Sequence, residues 1–139
     1  MKRTALVVVA IFVCILNSSC NREVKGKIGD AEVTVVSLKR MTEFKFPGSG
    51  SGYGQPRPIK AEPGKQLVVI ELKSDKEVKV AKAEVKDDKG QMYEVFFQQM
   101  LNYQDKPGEI SLVFVVPDQT ALKTLMINET SFDLSKVSS

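Results

Sequence analysis

The chain contains no histidine. That removes Ser-His-Asp and Cys-His nucleophilic catalysis, histidine acid–base chemistry and most zinc and copper sites. No serine is followed by lysine three positions later, so the common serine–lysine layout is also missing. Carboxylates are present but badly placed for glycosidase work, which needs two of them facing across a cleft. Asp87 and Asp88 are neighbours in a turn-like stretch, and Glu71, Glu84 and Glu109 read as solvated strand positions. A hard calcium site needs about six to eight oxygens, so Asp87 and Asp88 read as turn formers instead. The expectation is a non-enzymatic chain with no catalytic residue, no metal site and no cofactor.

Cysteine is scarce as well. There are two, Cys14 and Cys20. Cys14 lies inside residues 5–16, an apolar run of twelve residues with no charge. Lys2 and Arg3 precede the run, and Asn17, Ser18 and Ser19 follow it. As a helix the run would extend roughly 18 Å, against roughly 30 Å of bilayer hydrocarbon. A positive start, a short apolar centre and a small-residue end form a secretory signal peptide, expected over residues 1–19. Cys20 would then be the one cysteine of the mature chain, so an internal disulfide is excluded and stability must come from an apolar core. Roughly 120 residues suffice for one such core. Lys2 and Arg3 leave with the signal, so 20 basic residues fall to 18 against 17 acidic ones. That near balance gives no reason to expect nucleic acid as a partner.

Ser18-Ser19-Cys20 resembles a bacterial lipoprotein lipobox, although Asn17 stands where an apolar residue is usual. The resemblance implies a diacylglycerol thioether on Cys20 and often an acylated amino terminus. Two or more chains anchor a protein stably, at about 0.8 kcal/mol per buried methylene. The expected location is the cell envelope, tethered by lipid on the extracytoplasmic side, with inner and outer membrane both open. Residues 20–30 are polar, contain Gly26 and Gly29, and read as a tether.

A body of strand-like runs follows, over residues 31–139. Val33, Val35, Val36 and Leu38 switch phase between Val35 and Val36, which predicts a bulge or a strand buried on both faces. Residues 66–73 are apolar on both sides, as a central strand is. Residues 77–86 fit either a helical stripe or strand, and the Asp87-Asp88-Lys89-Gly90 turn signal favours strand, with residues 92–97 returning. Ile110, Leu112, Phe114 and Val116 alternate on one face. Two short runs, 122–128 and 131–134, close the chain. With no helix-length pattern after the signal, the reading is all-β: an antiparallel, immunoglobulin-like β-sandwich of about seven strands.

From Pro63-Gly64-Lys65 onward these elements resemble the telokin-like, immunoglobulin-like domains of small secreted bacterial lipoproteins, a family without an assigned function. The matching pieces are Leu67 to Leu72, the hairpin from Val85 to Tyr93, Pro107-Gly108 leading into Leu112 to Pro117, and the two final strands. The resemblance implies surface display and supplies no catalytic residues.

Two segments offer contact surfaces. Residues 48–54, Gly-Ser-Gly-Ser-Gly-Tyr-Gly, lack the Gly-Lys-Ser/Thr and the helix start of a phosphate loop. They read as a flexible loop carrying Tyr53 and Arg57, residue types enriched at interfaces. Residues 96–103 are apolar for a connection and contribute Phe97 and Tyr103. The candidate partner-binding residues are therefore Tyr53, Arg57, Phe97 and Tyr103. They face an unknown protein or envelope partner, provided that the loops 44–58 and 97–107 share one end of the fold. Two alternatives are a proteinase inhibitor presenting residues 48–58 and a purely structural envelope protein.

Overall fold

A computed structural model of the chain describes residues 23–45, 57–101 and 108–137. Among these residues, nine strands form two antiparallel sheets. β1 (Val24–Ile28), β2 (Ala31–Met41), β5 (Lys65–Ser74), β9 (Gly108–Pro117) and β8 (Phe97–Leu101) make a five-stranded sheet in that spatial order. β11 (Thr130–Asp133), β10 (Leu122–Ile127), β6 (Ala83–Asp87) and β7 (Met92–Glu94) make a four-stranded one. A small hairpin, β3 (Glu43–Phe44) with β4 (Ile59–Lys60), stands apart, and a 3-10 turn, Leu134–Lys136, follows β11. The protein is an antiparallel β-sandwich, with more strands than the about seven expected.

The core lies between the sheets. Val68, Ile70 and Leu72 of β5 and Ile110, Leu112, Phe114 and Val116 of β9 face Ala83, Val85, Leu125, Ile127 and Phe132 across the gap. The alternation read from residues 110–116 is the inward face of β9. Phe114 is fully buried and by area alone stabilises by about 2–3 kcal/mol. β5 pairs with β2 on one side and β9 on the other, and from Leu67 to Ile70 both its faces are covered, which is why that stretch is apolar without a break.

The phase switch in β2 is a bulge. Val35 pairs with Leu72, but Ser37 pairs with Glu71, so Val36 is the extra residue. The insertion lets Val33, Val35 and Leu38 all enter the core while Val36 turns outward, 47% exposed.

Three readings change. Residues 24–28, assigned to the tether, form β1, in register with β2 from Val24↔Val35 to Ile28↔Ala31. Val24 and Ile28 point inward, and between them Gly26 lies against Phe132: a Cβ there would sit 2.8 Å from the ring. The polar look of the segment comes from its outward lysines and from a glycine that the neighbouring sheet requires. Residues 77–82 are not strand; Val78 and Val80 drop into the core from an irregular segment, and strand begins at Ala83. The return from the Asp87 turn stops at Glu94. Val95 N–H still donates to Ala83 O in the four-stranded sheet, whereas Phe96 N–H donates to Val113 O in the five-stranded one. The chain changes sheets between these two residues, as strands do at sandwich corners.

Candidate functional site

The outer face of the five-stranded sheet is divided. Toward the Ser74 end it is polar, with Ser37 Oγ donating to Glu71 Oε2 at 2.8 Å and Lys39 Nζ 3.5 Å from Glu71 Oε1. Toward the Leu67 end it is apolar. Leu67, Val69 and Val113 form a second cluster there with Phe44, and Met41, Ile59, Ala61, Phe97 and Val115 pack against it. Phe44 and Ile59 belong to the β3–β4 hairpin, so the hairpin is fastened to the sheet by its own side chains. Glu43 pairs with Lys60 and Phe44 with Ile59, and Ala61 N–H donates to Thr42 O at 2.9 Å. The sequence between these strands is the Gly-Ser-Tyr segment, residues 46–56, which lies outside the described residues. Its roots are thus paired and packed against the sheet on both sides.

Arg57 is exposed at the second root of this hairpin. Phe97 is not a free contact residue: it is partly buried in the second cluster. Its neighbour Phe96 is the exposed ring, at 63%. The change of sheets at Val95 turns Tyr93 and Val95 toward the core and Phe96 outward, a reversal that strand alternation from either side could not locate. Tyr53, Tyr103 and Cys20 lie outside the described residues. The segment carrying Tyr103 springs from Leu101 and Gly108, and Gly108 pairs with Ser74. The β3–β4 hairpin follows Met41, which pairs with Leu67. The roots of the two segments therefore stand at opposite ends of β5, so the condition that they share an end is not met at their roots.

The same end of the molecule as Met41 carries a polar cluster. An open depression of about 600 Å³ is lined by residues including Asp87, Lys89, Tyr93, Gln119 and Thr120. Asp87 is buried, and its Oδ1 accepts from Lys89 N–H at 2.9 Å and Gln91 N–H at 2.8 Å, while Oδ2 accepts from the Tyr93 hydroxyl at 3.2 Å. Burial pushes its pKa up, but the hydrogen bonds from Gln91, Lys89 and Tyr93 outweigh it and hold the carboxyl below the usual 3.8. Burial and the Asp87 charge raise Tyr93 above its usual 10.0. Arg40 Nη2 donates to Thr120 O at 2.6 Å, tying β2 to the turn after β9. Asp87 is engaged in shaping the β6–β7 turn. Among the described residues, no group of three or more Asp, Glu, His or Cys is placed to hold a metal ion. The large apolar side chains exposed to solvent among the described residues are Val36, Met92 and Phe96. Sequence reasoning has Phe96 inside its candidate segment 96–103 but selects Phe97, and it misses Val36 and Met92; the phase switch at Val36 is the available signal for one of them.

No family model matches the chain, and no match is found among curated proteins. Among solved structures it is similar to an uncharacterized β-sandwich protein from Clostridium difficile 630. The TM-score is 0.53 at 10% identity, over 77% of this chain and 85% of that one. At this identity the likeness is one of fold, and it places the chain among β-sandwich proteins.

Proposed function

We propose that this chain is an extracytoplasmic lipoprotein, acylated on Cys20, whose sandwich acts as a non-enzymatic module binding a protein or envelope component through the β3–β4 hairpin and its connecting segment. The observation that carries the binding reading is the second apolar cluster. A hairpin with two residues per strand cannot hold itself in water, yet Phe44 is buried. The sheet thus stabilises a mount whose sequence between the roots is rich in glycine and serine and carries Tyr53, with Arg57 exposed beside it. The residue inventory supports a binding role over a catalytic one. The telokin-like, immunoglobulin-like resemblance fits a sandwich in which the chain passes between sheets after β5, β7 and β9.

The test is cross-linking capture from intact cells followed by mass spectrometry. Tyr53→Ala and Arg57→Ala together should remove the captured partner while leaving the thermal transition in place. Capture unchanged by both substitutions would sink the hairpin as the contact site. Intact-mass analysis of native material checks the anchor separately: Cys20 should be the first residue and carry acyl mass.

A further inference from the structure

The tether is much shorter than the sequence suggests, and this has a consequence for how an anchored domain sits. If folding began at Ala31, eleven Cα steps from Cys20 would reach up to about 39 Å and leave the domain free to tumble. β1 begins at Val24. Four steps reach at most about 14 Å. The sandwich is wider than that: from β1 to β8 the five-stranded sheet has four inter-strand gaps, together about 19 Å. A lipid held at Cys20 therefore confines the corner where the chain enters, and the opposite edge cannot take its place.

That corner has a defined surface. Val24, the first residue of β1, pairs with Val35, so Val36 directly follows the β2 residue that pairs where the chain enters the sheet. Val36 is the bulge residue and is 47% exposed, an apolar side chain turned away from the core. The charges of this corner nearly balance: Lys25, Lys136 and the exposed Lys27 stand beside Glu23, Glu32 and Asp133. Lys25 Nζ lies 3.2 Å from Glu23 and 3.8 Å from Glu32, and Lys136 Nζ lies 3.7 Å from Asp133. Such a surface neither repels nor strongly attracts anionic headgroups, so the anchor and the apolar contact decide the orientation.

We infer that the anchored domain rests against the lipid headgroup layer by its β1–β2 corner, with Val36 as the apolar contact. The edge carrying Phe96 points away from the membrane. This inference rests on acylation of Cys20. The mature chain has no cysteine besides Cys20, so Val36→Cys and Phe96→Cys each supply one site for a fluorophore. Each acylated protein is reconstituted in phosphatidylethanolamine–phosphatidylglycerol vesicles containing headgroup nitroxide lipids. The label at residue 36 should be quenched several-fold more than the label at residue 96. A flexible Gly-Ser insertion between Arg22 and Glu23 that doubles the reach should remove the difference. Equal quenching at both positions in protein of confirmed acyl mass overturns the orientation and leaves the anchor standing. A Cys20 without acyl mass overturns the anchor and the orientation with it.

Discussion

Asn128 sits at φ 53° in the turn between β10 and β11, a conformation that L residues other than asparagine rarely adopt. Its Oδ1 accepts from the N–H groups of Ala81 and Lys82, and its Nδ2 donates to Lys79 O. Those bonds hold the irregular segment that places Val78 and Val80 in the core. Asn128→Ala should therefore cost about 2–3 kcal/mol, from backbone strain plus unmade bonds, and Asn128→Gly about 1 kcal/mol, from the bonds alone. Urea titration of the two variants separates these parts; equal losses would mean that the turn conformation is unimportant. Asp87 gives a pH signature. Its folded pKa is held below 3.8, so its contribution to stability is complete above that value and disappears as pH falls through the lowered one. Asp133, whose carboxyl is lowered by the Ser135 hydroxyl and N–H, acts in the same direction. The urea midpoint should drop as pH falls below 3.8, and Asp87→Asn should drop less over the same range. Parallel curves for wild type and variant would remove Asp87 as a source.

At the scale of elements, the β3–β4 hairpin depends on Phe44. Phe44→Ala should cost about 3 kcal/mol, the low end for a buried phenylalanine, because the ring lies on an outer face instead of between the sheets. Limited proteolysis should then cut within residues 45–58 while the rest of the sandwich stays intact; cleavage no faster than wild type would show the hairpin is held by something else. The elements legible in the sequence were those whose pattern follows from their own neighbours: the bulge at Val36, the doubly covered β5, the alternating β9 and the turn at Asp87. Less legible were the elements set by distant contacts. β1 has only Val24 and Ile28 as inward apolar groups, because Phe132 from the other sheet fills the space at Gly26. The exposure of Phe96 instead of Phe97 follows from where the chain changes sheets. Of the candidate contact residues, Arg57 is exposed and Phe97 is partly buried, since the cluster Phe97 joins is assembled from six separate strands, β2, β3, β4, β5, β8 and β9.

For the whole molecule, the decisive feature is that β1 closes one side of the sandwich. It is the edge of the five-stranded sheet, and it meets β11, the edge of the other, through Gly26 against Phe132 and through the Thr130 hydroxyl, which donates to Lys27 O at 2.6 Å. Gly26→Ala would put a methyl group 2.8 Å from a ring that is itself only 1% exposed. One of the two sheets must move, at a cost of about 1–3 kcal/mol. Removing β1 altogether should be worse. A chain beginning at Ala31 loses the buried Val24 and Ile28, about 1.5–3 kcal/mol each. It also uncovers Phe132 and leaves the backbone of β2 as a long open edge that invites pairing with other chains. Against a total stability of about 5–15 kcal/mol, a chain beginning at Ala31 should unfold without a cooperative thermal transition or aggregate, whereas one beginning at Glu23 should melt as a single unit. Equal transitions for the two would return residues 24–28 to the role of a tether, and would lengthen the reach from Cys20 enough to free the domain from the membrane surface.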